Sequence, residues 1–371
     1  MASAARHLIS LSLITLLLAV IVRGSLTPNV STEALGNRAT KSSCGQIRTR
    51  REWRTLKPAQ KLDFIRSIQC LQTRRARNSK HPNVVTLWDE LQESHLKHAH
   101  DAHLVAQFLP WHRYFLHIYE KTLRESCQYH GPLPYWNQAI DADSSLPFSA
   151  SPVFHPILGF GGDGVPGTYT VPEDPNPNDP DLTSFIIPEF YKGCVRTGPF
   201  ASLKLNIGPG HLVTKHCLTR GIGESLRTRV GGAAVSALLS QPNFQAFMLE
   251  IDGPPQVING RALPNLPAPE DIPLHQAGHL MVGGAMANYY TSNADPLFYL
   301  HHANVDRLWW LWQQANATRL NEISGPSDVR NFTNGPQITL DTPLKFGTLY
   351  QDVPVRYAMD TSSKKLCYTY V

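Results

Sequence analysis

No run of lysine and arginine in this chain is long enough to hold a nucleic-acid backbone, and the net charge of +5 over 371 residues is mild. No nucleic-acid partner is therefore expected. The basic segment Arg48–Arg54 is broken by Glu52 and Trp53 and reads as a solvated helix face. No apolar stretch reaches the ~18 residues of a membrane span. No internal repeat is present, and the six cysteines (Cys44, Cys70, Cys127, Cys194, Cys217, Cys367) contain no C-x-x-C pair. Widely spaced and even in number, they suit up to three disulfides in an oxidising compartment, with the pairing left open.

What is present begins at the N-terminus. Arg6 and His7 precede fifteen mostly apolar residues, Leu8–Val22, followed by Arg23-Gly24-Ser25. That order of charge, apolar core and small residue predicts a signal peptide over residues 1–24, with a retained membrane anchor disfavoured. The product is expected in the secretory pathway, outside the cell and free of membrane once the signal is removed. Sequons at Asn29, Asn316 and Asn331 are compatible with glycosylation on that route.

Residues 25–43 are polar and predict a flexible tail; 44–371 read as one mainly α domain with long irregular loops and a few short strands. Apolar spacing predicts helices over about 83–98, 110–126, 224–240, 273–287 and 298–315. Gly161–Asp181 and Gly253–Pro273 are crowded with turn formers, and the end carries β-like runs at Leu349–Val355 and Lys365–Val371. One domain is preferred to two because two histidine clusters, 163 residues apart from His112 to His275, each look like half of a site.

The chain has sixteen histidines, unevenly spread. One group is His95, His98, His100, His103 and His112; the other is His275, His279, His301 and His302. His275 and His279 stand four apart, so on a helix they share a face and can grip one metal. A zinc protease would need a glutamate directly after the first histidine as base, and Gln276 stands there. His302 begins a helix that can add a third nitrogen. In the first group Pro110 suits the first turn of a helix, so His112 starts that helix, His103 sits on the preceding loop, and His95 ends the helix before it. His98 and His100 compete with His95 for the third place. His301 points away from His302 and reads as a supporting residue. Six neutral imidazoles without a carboxylate suit copper or zinc, and redox copper best.

The segment His103-x4-Phe108-Leu-Pro-Trp-His112-Arg113-x2-Leu116-x3-Glu120 resembles the first copper signature of tyrosinases, catechol oxidases and haemocyanins. Asp295-Pro296-Leu297-Phe298-x3-His302-x3-Asp306 resembles the second. The gap between His95 and His103, Arg51-Glu52-Trp53-Arg54, Cys70-Leu71 and Pro134-Tyr135-Trp136 are similar to the short fungal tyrosinase-like subgroup. The resemblance implies a central four-helix bundle around a dinuclear copper centre with O2 as co-substrate. It assigns His95, His103 and His112 to one copper and His275, His279 and His302 to the other. Arg113 and Asp306 would form an ion pair orienting the ligand helices. The substrate implied is a small phenol or an aromatic side chain of a peptide, in pigment or secondary-metabolite formation.

The pattern departs from the family in three places. No cysteine stands near His95, so the thioether that many relatives form there is not expected. Gln276 occupies a place where efficient phenol hydroxylators often carry asparagine, and Glu270 or Asp271 are the carboxylates that could assist it. Diphenol or aminophenol oxidation is therefore expected over monophenol hydroxylation. The chain closes soon after Cys367-Tyr368-Thr369-Tyr370, similar to the tyrosine motif that ends the catalytic domain, so no shielding domain is expected beyond it. A haemocyanin-like reversible O2 carrier is the alternative, disfavoured by a single unrepeated domain.

Overall fold

A computed structural model describes residues 44–371, apart from 180–181, 255, 259–260 and 264–267. The expected signal peptide, the tail and Asn29 lie outside the described residues. The helices are α1 (Pro58–Leu71), α2 (Leu87–Ala102), α3 (Phe108–Cys127), α4 (Gln138–Ala142), α5 (Arg227–Val230), α6 (Gly232–Leu239), α7 (Phe244–Asp252), α8 (Leu274–Val282), α9 (Leu297–Gln314) and α10 (Arg356–Met359). Strands are two or three residues long; Gly164–Pro166, Gly193–Val195 and Thr219–Arg220 make the largest described sheet. The mainly α class expected from the sequence holds.

Helix α9 is buried at every position except Arg307, Leu311 and Gln314, as a helix surrounded by others must be. Around it pack α2, α3 and α8. Tyr119 of α3 stacks on Tyr299 of α9 with ring centres 3.6 Å apart, and Trp88 of α2 reaches the same Tyr299 at 5.4 Å. Trp53, Trp88, Trp111, Trp136, Trp309 and Trp312 are all fully buried in this core. Burying a large aromatic ring stabilises by roughly 2–3 kcal/mol, so the bundle rests on few, large side chains.

The helix expected over 224–240 divides at Gly231 into α5 and α6, and two further differences bear on the site. The Thr86 hydroxyl accepts the Asp89 N–H at 3.1 Å while the Asp89 carboxylate accepts the Thr86 N–H at 2.9 Å, a reciprocal cap that starts α2. The helix then runs to Ala102, so His95 lies in mid-helix and not at its end. The reading over 273–287 resolves into α8 and a separate 3-10 turn, Gly284–Ala287. Gly283, at φ 68°, ends α8; a Cβ there would meet the Gly221 carbonyl at 2.5 Å.

The basic segment is not a solvated helix face. Arg48–Arg50 is a strand paired in parallel with Tyr368–Tyr370, and Arg50 is fully buried. The reason is electrostatic: Arg50 donates to Glu120 at 2.9 Å and to Asp306 at 3.1 Å, and buried carboxylates need cationic partners. The cysteines pair as Cys44–Cys367, Cys70–Cys127 and Cys194–Cys217. All six sulfurs are thus occupied, leaving none for a thioether to histidine. Asn316 and Asn331 are exposed, and no helix among the described residues is long and apolar enough to cross a membrane.

Candidate metal centre

Five of the six histidines that the resemblance assigns to copper have their Nδ1 held by a defined partner. His95 of α2 meets the Tyr290 carbonyl at 2.8 Å. His103, just past the end of α2, meets the Ala99 carbonyl at 2.9 Å, while its own backbone N–H bonds the same oxygen. His112 of α3 meets the Phe108 carbonyl and His279 of α8 the Met286 carbonyl, each at 2.9 Å. His275 instead meets a carboxylate, Asp252 Oδ1, at 2.8 Å. A carbonyl oxygen accepts only, so Nδ1 carries the proton and Nε2 keeps its lone pair. The Nδ1 of His302 is buried without a partner.

The Nε2 atoms converge. His279 Nε2 lies 2.9 Å from His275 Nε2 and 3.0 Å from His302 Nε2, and the last two are 3.2 Å apart. Lone pairs aimed at one another repel unless a cation sits among them. Three nitrogens bound tetrahedrally at ~2.0–2.1 Å would be spaced roughly 3.3 Å apart, close to what is seen. In the other group, the rings of His95, His103 and His112 lie 4.8–5.7 Å apart, and the Nε2 atoms of His95 and His112 are buried with no partner. The two triads face each other: His112 stacks on His302 at 4.3 Å, and His103 lies parallel to His275 at 6.1 Å. Phe298, 5.1 Å from His95 and 4.1 Å from His302, walls both with apolar surface.

Burial holds all six imidazoles in the neutral form, with neighbouring histidines adding to the effect except at His275. His95 is pushed down to about 4 and His275 to about 3, and the others well below the ordinary value. Neutral imidazole is the form that binds a metal. All-nitrogen donors, partnerless inward lone pairs and two facing triads fit a dinuclear copper site.

The competitors fall outside. His98 bonds Asp101 at 3.2 Å and His100 bonds the Tyr290 hydroxyl at 3.2 Å; both are half-buried. His301 groups with the second triad, but its ring nitrogens are engaged by Gln138 and the His275 carbonyl, each at 3.1 Å. Arg113 Nε donates to Asp306, and its guanidinium lies 3.7 Å over the Trp309 ring. Asp306 also accepts from Arg50, Tyr368 and Tyr370, so the closing tyrosine pair locks onto the same carboxylate.

Gln276 donates its amide to the Asp252 carbonyl at 2.8 Å, while Glu270 and Asp271 are exposed on the 3-10 turn before α8. The carboxylate in contact with the site is Asp252, at the end of α7, which spacing did not single out. It lies 23 residues before His275 in the sequence and on a different helix, so no single helical or strand period links the two. Burial pushes it up to about 6, against the opposing pull of His103 and the Leu104 N–H.

Comparison with known proteins gives a consistent result. The family described as the common central domain of tyrosinase matches residues 85–315. The tyrosinase-like protein phomQ1 of Diaporthe leptostromiformis is 33% identical over 88% of this chain and 78% of its own length. The N-acetyl-6-hydroxytryptophan oxidase ivoB of Emericella nidulans is 29% identical over 86% of this chain and 91% of its own. Among solved structures, a variant of the polyphenol oxidase of Thermothelomyces thermophila superposes with a TM-score of 0.73 at 27% identity, covering 88% of this chain and 89% of that one.

Proposed function

As a member of the tyrosinase family this chain is a copper oxidoreductase of phenols, and we propose that it oxidises o-diphenols and o-aminophenols to quinone-type products with O2. In this reading His95, His103 and His112 hold one copper and His275, His279 and His302 the other. Bound copper supplies the O2 binding and accepts the electrons, two substrate rings each losing two electrons and two protons while one O2 becomes two waters. The observation that carries the reading is the convergence of the His275, His279 and His302 Nε2 atoms opposite a second buried triad.

The protein residues do the rest. Carbonyls and Asp252 fix the ring tautomers of five of the six, so little reorganisation is needed when metal binds. Phe108 and Phe298 exclude water on the flanks, Phe108 lying 4.6 Å from His275. Hydroxylating a monophenol calls for a proton acceptor beside the site. Gln276 cannot take a proton, both Asp252 oxygens already accept N–H groups, and Glu270 and Asp271 face solvent. That supports oxidation of rings already bearing two heteroatoms.

A small phenol or a peptide's aromatic side chain, in pigment or secondary-metabolite formation, is the substrate class we favour; a relative named for oxidising a hydroxytryptophan derivative supports it. The three disulfides support a route through an oxidising secretory compartment. The test is to load copper, admit O2 and offer catechol, o-aminophenol and tyrosine separately. Quinone-type products from the first two are expected. Lag-free hydroxylation of tyrosine would overturn the assigned step, and a stable oxygenated form that oxidises none would point to an O2 carrier instead.

A further inference from the structure

One carboxylate touches both halves of the centre. Asp252 is 1% exposed and ends α7. Its Oδ1 receives the Nδ1–H of His275 at 2.8 Å, in the second triad. Its Oδ2 receives the backbone N–H of Leu104 at 2.6 Å, the peptide directly after His103 of the first triad. Its carbonyl receives Gln276 Nε2 at 2.8 Å, tying the start of α8 to the same residue. Leu104 adopts φ 59°, a left-handed conformation costly for a branched side chain, so something must hold it there. No other carboxylate among the described residues bonds a histidine of either triad; His95, His103, His112 and His279 all rest on neutral carbonyls.

We infer that Asp252 is a positioning residue that couples the two copper half-sites, setting the place of His103 through the Leu104 peptide and the basicity and ring angle of His275 directly. The inference rests on the copper assignment made above. A charge-assisted bond to a carboxylate is stronger than one to a carbonyl and makes the opposite ring nitrogen a better donor. The same anion sits in a dry site where its charge favours cations on both sides. An asymmetry follows: the copper at His275 is bound by a more strongly donating imidazole than any in the first triad.

The test is copper retention in Asp252→Asn. An amide offers one acceptor and two donors, so either His275 or the Leu104 peptide is left facing an N–H. Purified holoprotein is titrated with a copper chelator in the absence of any phenol, and both release steps are followed. The expected result is a 10–100-fold weaker hold on both coppers, a weakened near-ultraviolet absorption on admitting O2 to the reduced protein, and a copper-free protein that still folds cooperatively, with a melting temperature lowered by the buried hydrogen bond it loses. Asp252→Glu keeps the charge and both oxygens and should fall between the two; it also carries the titration if the asparagine variant does not fold. Unchanged retention of both ions, or loss of one with the other held at wild-type strength, would overturn the coupling. Wild-type protein that holds two coppers yet oxidises no phenol would sink the proposed function and leave this inference standing.

Discussion

Gly278 of α8 lies against the imidazole of His301 on α9 so closely that a Cβ on it would come within 2.3 Å of His301 Cε1 and 2.7 Å of Gln138 Oε1. The missing side chain sits between His275 and His279. It allows the helix bearing two ligand candidates to approach the helix bearing the third.

Gly278→Ala is therefore expected to destabilise, although alanine favours a helix by about 1 kcal/mol over glycine. Overpacking a dense core costs about 1–3 kcal/mol, and His301 is fixed by partners at both ring nitrogens, so it cannot swing aside. A fall in melting temperature together with a lower copper content on reconstitution is the expected result. A variant as stable and as fully loaded as wild type would show that α8 and α9 can separate without harm.

Asp306→Asn tests the ion cluster behind the centre. Asp306 accepts from Arg50, Arg113, Tyr368 and Tyr370 in a fully buried setting. Removing its charge leaves two buried guanidiniums short of a partner, which costs about 3–5 kcal/mol for groups of this kind. Urea unfolding of the copper-free protein should record a loss of that size. Full stability and full copper occupancy in the variant would remove Asp306 from any role in orienting α3 and α9.

Acid should act through Glu120. Burial alone would raise its pKa, but the guanidiniums of Arg50, Arg48 and Arg124 outweigh it and hold the carboxyl at about 2. In the unfolded chain the same group titrates near 4.3. A depressed native value means stability that is present above about pH 4.3 and lost as pH falls towards 2, on the order of 3 kcal/mol. Unfolding of copper-free protein measured from pH 6 to pH 2 should show this slope in wild type. Glu120→Gln should start less stable and show a smaller acid-dependent loss; equal slopes in both would rule Glu120 out as a source.

The parts of this arrangement that spacing reveals are those that repeat within one element or one short motif. His275 and His279 are a helical turn apart, and Asp306 lies one turn beyond His302, so each could be placed on a helix face from local geometry, whereas the Arg113–Asp306 pair came from the resemblance to the copper signatures. His95 does meet His103 and His112, but from the middle of its helix and not its end, because the cap formed by Thr86 and Asp89 marks where α2 begins and nothing comparable marks where it ends. Asp252 and Arg50 were invisible for a different reason. Their partners are distant in sequence, 256 residues away for Arg50 and Asp306, and a single buried charge has no period. The basic run around Arg50 even pointed the wrong way, since charge in a sequence suggests solvent until a buried acid is known to face it.

The Cys44–Cys367 bond has a topological consequence. It closes almost all of the described chain into a covalent ring, with a sequence separation of 323, and both histidine triads lie inside that ring. Cutting a ring once opens it without dividing it. A single proteolytic nick in the irregular segment over 167–179 would therefore leave His95, His103 and His112 on the same covalent molecule as His275, His279 and His302. The two halves of the centre, contributed by distant segments, could then be parted only by two backbone cuts or by reduction of this bond together with one.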